Sequence, residues 1–196
     1  MLDPKFHFGR LGNSLFQYAY IYGQMRRGEI PDIFVQNPAY FDDYREEIRQ
    51  LFGSYEKEVL DSLPYVAVHL RVGKNPLNPS EPAYLKNSFY TPLPETDYYE
   101  KALEYFPNER FLIFSDDLEF AQNYFIGEEY EFDETKDEIE ALTQMSRCIG
   151  HVIANSSFSF WGAYLSPHGG KVVAPKNWYS DGDQNRTRCP SNWIRT

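Results

Sequence analysis

The chain has 196 residues, of which 42% are hydrophobic and 17% aromatic, so it can bury the core of one ordinary domain. Its formal net charge of −10 argues against a nucleic-acid binder, because such proteins carry a basic surface. Two cysteines are too few for a disulfide framework. No apolar run is long enough to cross a bilayer and no signal-peptide core is visible, so we expect a soluble cytoplasmic protein without an integral membrane segment.

The first part of the chain predicts two helices ahead of the first long strand. A short strand at 5–9 leads into a glycine-containing turn, and apolar residues at helical spacing then predict a helix over 13–27. A second amphipathic helix is predicted over 38–52. A β-branched apolar run predicts a strand over 65–72.

Strands and helices alternate through the rest of the chain. Further strands are predicted at 110–115, 130–132, 151–154 and 171–174, and helices at 95–106, 117–125, 137–149 and 158–165. This alternation predicts an α/β fold built on a parallel sheet.

Polar side chains follow three of these strands at the point where each strand ends. They are His69 with Arg71, then 115–117 (Ser-Asp-Asp), then 155–157 (Asn-Ser-Ser). In open parallel sheets, ligands bind outside the carboxyl ends of the strands. Because residues two apart lie on the same side of a strand, His69 and Arg71 face the same way, and a guanidinium suits phosphate. The pattern predicts an anion site at this edge.

Each of these residues also has a simpler interpretation. The alternatives are a hydrogen-bonded strand-end histidine at 69, an arginine at 71 paired with a carboxylate of this acidic protein, and helix caps at 116–117 and 155–157. The triplet 181–183 (Asp-Gly-Asp) matches the D-x-D pattern of metal-dependent glycosyltransferases, but we interpret it as a chance match in a polar loop.

Six short blocks follow one another along nearly the whole chain: GRLGNSLFQYA (9–19), NPAYFDDYREEIRQLF (37–52), HLRVG (69–73), FSDD (114–117), ANSSFSFWGAYL (154–165) and PKNWY (175–179). Together and in this order they resemble the signature blocks of the α-1,2-fucosyltransferases, glycosyltransferase family 11. Any single block is weak, whereas six in the same order are specific.

The resemblance implies an inverting enzyme that moves fucose from GDP-fucose to a hydroxyl of a glycan acceptor, through an α-1,2 linkage and without a metal or other cofactor. It implies a GT-B-like fold whose Rossmann-like carboxyl-terminal lobe holds the donor. Here residues 1–64 form a reduced amino-terminal lobe and residues 65–196 the donor lobe. The acceptor side is then either reduced or completed by another copy in a homo-oligomer. The bacterial or viral cytoplasmic type fits better than a Golgi-anchored form.

The resemblance also implies roles for individual residues. Arg71 corresponds to the arginine that meets the diphosphate, and we take Arg71 and His69 as the catalytic candidates. Glycines let the backbone approach the diphosphate, helix-start groups donate to it, and Asp116 or Asp117 accepts from guanine. The predicted nucleotide-sugar contacts are Gly9, Arg10, Gly12, Asn13, Arg71, Asp116, Asp117, Asn155, Ser156, Ser157 and Phe158, with no metal ligand among them.

The chain departs from the family pattern just after Arg71. Val72 stands where the family has a second arginine, and Lys74 stands where it has an aspartate suited either to orient Arg71 or to act near the acceptor. Two alternatives therefore stay open: a related transferase that uses a different nucleotide sugar, and a non-catalytic nucleotide-sugar-binding subunit. Glu81 and Asp97 are candidates for a catalytic base, which we leave unassigned.

Overall fold

A computed structural model describes the chain over residues 11–27, 38, 41–52, 61–73, 89–182 and 189–196. The helices of this part are α1 (Leu11–Arg27), α2 (Arg45–Phe52), α3 (Tyr98–Leu103), α4 (Leu118–Tyr124), α5 (Glu138–Arg147) and α6 (Ser157–Tyr164). Its strands are β1 (Leu63–Leu70), β2 (Phe111–Ser115), β3 (Tyr130–Phe132), β4 (Cys148–Val152), β5 (Val172–Ala174) and β6 (Ile194–Arg195). Short 3₁₀ turns at Asp42–Tyr44 and Leu93–Glu95 precede α2 and α3.

The six strands form one sheet in the order β3-β2-β1-β4-β5-β6, and every neighbouring pair is parallel. The direction in which strands are added reverses between β1 and β4, which lie side by side at the centre. Doubly wound nucleotide-binding folds share this order and bind their ligands at the reversal. The predicted α/β fold with a parallel sheet is confirmed.

Helices cover both faces of the sheet because successive side chains of a strand alternate between the faces. Val68 of β1 packs with Tyr99 of α3 and Ala121 of α4 on one face. Ala67 packs with Met145 of α5 on the other. His69 has the same parity as Ala67 and therefore lies on the face that carries α5 and α6.

The helices α1 and α2 share a core with α6. The Phe16 ring of α1 lies 4.6 Å from Phe160 and 5.0 Å from Trp161, centroid to centroid. Phe41 stacks on Trp161 at 5.6 Å, and Ile48 of α2 is fully buried in the same cluster. The predicted division of the chain after residue 64 stays a prediction. Within the described residues, no helix is long and apolar enough to span a membrane.

The helix predicted over 38–52 begins only at Arg45, after the 3₁₀ turn Asp42–Tyr44, and another difference lies at the end of α5. The apolar spacing predicted a helix to residue 149, but the helix ends at Arg147 and β4 begins at Cys148. Pairing with β1 decides this, because Leu63 lies opposite Cys148 and Val66 opposite Gly150. Strand β6 was not predicted, and the predicted strand at 5–9 lies outside the described residues.

A glycine in α1 sets the distance between α1 and α6. A Cβ placed on Gly12 would lie 2.7 Å from the backbone nitrogen of Phe158 and from the backbone carbon of Ser157. We expect Gly12→Ala to lower the free energy of unfolding by about 1–3 kcal/mol, because backbone atoms must move. The matched variant is Gly162→Ala, whose Cβ would meet the flexible Met145 side chain and should cost less. Urea unfolding measures both, and an equal cost would contradict the assignment.

Candidate active site

A cleft of about 580 Å³ opens at the carboxyl ends of the central strands, beside the reversal in strand order. Most of the predicted site residues line it: Gly12, Asn13, His69, Arg71, Asp116, Asn155, Ser156, Ser157 and Phe158. Gly9 and Arg10 lie outside the described residues. The fold thus brings together residues from α1 and from the ends of β1, β2 and β4.

The Arg71 guanidinium is held by Asp116. Nη1 of Arg71 donates to Oδ2 of Asp116, and the arginine side chain stays 38% exposed at the cleft. Oδ1 of Asp116 accepts from the backbone N–H of Val72 at 2.9 Å, and both oxygens accept from the N–H of Gly73, at 3.2 and 3.0 Å. Gly73 has φ 74°, a left-handed conformation that glycine adopts without strain. One carboxylate therefore fixes the three residues that follow β1.

The same contacts set the ionisation of Asp116. Burial favours the neutral acid, but the Arg71 charge and the N–H groups of Val72 and Gly73 outweigh it, so the pKa of Asp116 is lowered. Asp116 supplies the acidic partner for Arg71 that the chain lacks at Lys74. The predicted contact of Asp116 with guanine would have to compete with these bonds.

His69 is buried and neutral. It is 5% exposed, and burial lowers its pKa to about 4, although the Asp116 charge opposes that shift. Its ring lies 5.6 Å from the Phe158 ring, and its backbone oxygen accepts from the Tyr99 hydroxyl at 2.8 Å. Nδ1 has no hydrogen-bond partner among the described residues. A neutral imidazole can hydrogen-bond a ligand at this wall of the cleft, but it adds no positive charge.

Stability should fall as the pH drops from about 6.5 to about 4, because burial lowers the pKa of both His69 and His151 to about 4. Because these pKa values are lower in the folded protein, the unfolded chain binds protons at a higher pH. Stability that is present above pH 6.5 is therefore lost as the pH falls toward 4. At pH 4 each histidine should have lowered the free energy of unfolding by about 3 kcal/mol. Urea titrations measure this, and His69→Gln should remove about one proton from the uptake on unfolding. A slope unchanged in the variant would contradict it.

Two helix amino termini meet at the cleft. Ser156 caps α6, and its hydroxyl accepts from the N–H of Phe158 at 3.3 Å. The Ser157 hydroxyl donates to Oδ1 of Asn13, near the start of α1, at 2.8 Å. The first N–H groups of a helix lack partners within the helix and carry the positive end of its dipole, so both termini favour an anion here. Gly12 lets α1 approach α6, a role different from the predicted approach of its backbone to the diphosphate.

Asn155 and Asp117 have structural partners. The Asn155 amide donates to the backbone oxygens of Thr91 at 2.7 Å and Trp178 at 3.1 Å, which ties two loops to the start of α6. The Asp117 carboxylate accepts from the N–H of Phe120 and caps α4. Asp117 is not among the residues that line the cleft, and its contact with guanine stays a prediction.

The structure adds cleft residues that the sequence did not single out. Tyr90 and Trp178 form one wall, and Asp133 and Glu138 line the side nearest α5. Burial raises the pKa of Asp133. Nothing in the sequence distinguishes the two carboxylates from the rest of 29 acidic residues, whereas Trp178 lies in the block PKNWY. No three His, Cys, Asp or Glu side chains in the described part converge as metal ligands.

Comparison with known proteins gives one family and two curated relatives. Residues 32–195 match the family described as Glycosyl transferase family 11. The chain is 28% identical over 193 residues to an O-antigen biosynthesis glycosyltransferase, WbnK, of Escherichia coli, covering 87% of this chain and 62% of that protein. It is 33% identical over 178 residues to an alpha-1,2-colitosyltransferase of Escherichia coli, covering 83% of this chain and 60% of that protein.

The chain therefore spans less than two thirds of the length of these relatives. Among solved structures, a β-Kdo 2,4 transferase, KpsC, of Thermosulfurimonas dismutans is similar at 14% identity and a TM-score of 0.37. That match covers 79% of this chain and 51% of the other.

Proposed function

The chain belongs to glycosyl transferase family 11, and from this membership we propose that it transfers a sugar from a nucleoside diphosphate to a hydroxyl of a glycan, with inversion and in an α-1,2 linkage. Membership confirms the resemblance to this family, and the matched residues 32–195 contain five of the six sequence blocks. The donor we propose is GDP-fucose. Because the chain spans only part of its curated relatives, the activity of the whole protein is part of the proposal.

The observation that carries the proposal is the position of Arg71. It lies at the reversal in strand order, paired with Asp116 and in the same cleft as the first residues of α1 and α6. When the acceptor oxygen attacks the anomeric carbon, the bond to the diphosphate breaks and negative charge builds on the leaving phosphate. A guanidinium and helix amino termini already in place stabilise that charge without reorganising during the reaction.

These groups supply positive charge at the leaving phosphate, so we propose that transfer requires no metal ion or other cofactor. The acceptor proton must pass to a base, and no residue is assigned to that role. Addition of EDTA is expected to leave the rate unchanged. Loss of activity that Mg²⁺ or Mn²⁺ restores would overturn this part and point to the 181–183 triplet.

We propose for this chain a GT-B-like fold with a reduced amino-terminal lobe. Residues 65–196 would form the Rossmann-like donor lobe, and residues 1–64 the reduced amino-terminal lobe. The acceptor side would then be either reduced or completed by a second copy of the chain. The cytoplasmic location and the absence of a nucleic-acid partner stay predictions from composition and sequence.

A different nucleotide sugar is the alternative donor. One curated relative is named a colitosyltransferase, and Val72 and Lys74 depart from the family pattern beside Arg71. A non-catalytic subunit that binds the nucleotide sugar is the second alternative. Both alternatives use the same site as the first proposal. The first differs from it in the donor sugar, and the second in having no turnover.

The test is the release of GDP from GDP-fucose with a panel of β-galactoside glycans, against a matched reaction without acceptor. We expect acceptor-dependent release and a product whose new linkage is α-1,2 by NMR. A parallel reaction with nucleotide-activated colitose ranks the two donors by kcat/KM. Turnover of activated colitose alone would replace the donor, and binding of GDP-fucose without release would favour the non-catalytic subunit.

A further inference from the structure

A short two-stranded ribbon borders the cleft on the side away from α5. Residues 89–91 run antiparallel to residues 178–180, with Tyr90 bridged to Tyr179. The N–H of Thr91 donates to the Trp178 oxygen at 3.3 Å, and that of Ser180 to the Phe89 oxygen at 3.0 Å. The Asn155 amide bonded to Thr91 and Trp178 holds this ribbon against the start of α6.

The ribbon carries three aromatic rings in mutual contact. We call Phe89, Tyr90 and Tyr179 the aromatic ledge. The Phe89 ring centroid lies 5.1 Å from that of Tyr90 and 5.0 Å from that of Tyr179, and the two tyrosine centroids are 5.5 Å apart. Tyr179 is 5% exposed and supports the other two, whereas Phe89 is 48% exposed. Tyr90 lines the cleft, and burial raises its pKa against the opposing effect of the nearby Arg71 charge. Tyr90 is thus the ring of the ledge that lines the cleft, and the exposed Phe89 ring adjoins the cleft through its contact with Tyr90.

The two sides of the cleft differ in chemistry. The side near α5 presents the carboxylates of Asp133, to which Thr135 already donates, and of Glu138. A carboxylate can accept hydrogen bonds from a nucleobase or a ribose. The opposite side presents Tyr90, through which the aromatic ledge adjoins the cleft. A diphosphate at Arg71 has its nucleoside on one end and its sugar on the other, so a nucleoside near α5 puts the donor sugar toward the ledge.

We propose that the aromatic ledge is the acceptor subsite, on which a hexopyranose ring of the acceptor glycan stacks against Phe89 and Tyr90. The inference rests on the proposed function, because it places the acceptor relative to a donor at Arg71. One face of a galactopyranose carries C–H groups while its hydroxyls project at the edge, and aromatic rings bind such a face at low entropic cost. An exposed apolar surface beside a binding cleft marks a site that a ligand covers.

The experiment follows binding of methyl β-D-galactopyranoside and of GDP-fucose to the full chain by saturation-transfer NMR, with acceptor KM from GDP release. We expect Phe89→Ala to weaken saccharide binding and raise acceptor KM by about 3- to 10-fold, the effect of one lost aromatic contact. GDP-fucose binding should not change. Phe89→Trp should restore saccharide binding. Tyr105→Ala is the matched control, since Tyr105 is 38% exposed and precedes β2 at the other end of the sheet.

Saccharide binding that is absent in the wild type, unchanged in Phe89→Ala, or equally weakened in Tyr105→Ala would overturn the proposal. If the chain binds the saccharide at the ledge but does not bind GDP-fucose, the proposed function is wrong, whereas the assignment of the ledge as a saccharide site is supported. Because Phe89 is half exposed, Phe89→Ala should still fold, with a urea midpoint slightly below that of the wild type because its ring contacts with Tyr90 and Tyr179 are lost. If it does not, Phe89→Leu, which keeps an apolar side chain but no ring face, decides the question by the same two readouts.

Discussion

Replacement of Arg71 by alanine is expected to lower kcat/KM for transfer from GDP-fucose by about 10²- to 10³-fold, the usual cost of losing one preorganised group that stabilises transition-state charge. The guanidinium lies at the carboxyl end of β1, in the cleft shared with the starts of α1 and α6. Charge develops on the diphosphate mainly in the transition state, so the loss should appear largely in kcat. Initial rates of GDP release at varied donor concentration measure it.

Two variants make the test specific. Arg71→Lys keeps the charge but not the planar set of donors, so one amine cannot hold both Asp116 and a phosphate, and little activity should return. Arg110→Ala removes an exposed arginine at the opposite end of β2, where it pairs with Glu131, and should leave activity unchanged. Full activity in Arg71→Ala, or an equal loss in Arg110→Ala, would contradict the assignment of Arg71.

Removal of the Asp116 carboxylate should have the second largest effect. Asp116→Ala leaves the N–H groups of Val72 and Gly73 and the Arg71 guanidinium without their acceptor, which we expect to cost about 1–3 kcal/mol in unfolding free energy. Because Asp116 acts through Arg71, activity should fall while the protein still folds. Asp116→Asn keeps one acceptor oxygen and should retain more stability than alanine. Urea unfolding and GDP-release kinetics are measured on the same preparations.

The pH dependence separates an electrostatic role of Asp116 from simple packing. Its folded pKa is lowered, so its ionised form contributes stability above the unfolded value of about 3.9 and loses that contribution as the pH falls through the folded pKa. The difference in unfolding free energy between the wild type and Asp116→Asn should therefore shrink below pH 4. A difference that stays constant down to pH 2 would assign Asp116 a packing role only.

The α/β class was predictable because alternating apolar periods are local. The strands at β1, β2 and β5 and the helices α1, α4 and α6 lie within a few residues of their predicted bounds. The start of β4 was not predictable, because the spacing of Leu142, Met145 and Ile149 also fits a helix. Only pairing with β1, more than 80 residues earlier in the numbering, ends the helix at Arg147.

The sequence alone determined that cationic and hydroxyl side chains follow the strands, because a buried strand can carry such groups only where it reaches solvent. It also contained the ordered blocks that match the family. The tertiary structure decided which groups meet: Asp116 with Arg71 across 45 positions, and Ser157 with Asn13 across 144. It also decided that Asp117 caps a helix outside the cleft. Partners this far apart along the chain are set by strand order and helix packing, which no local pattern of residues encodes.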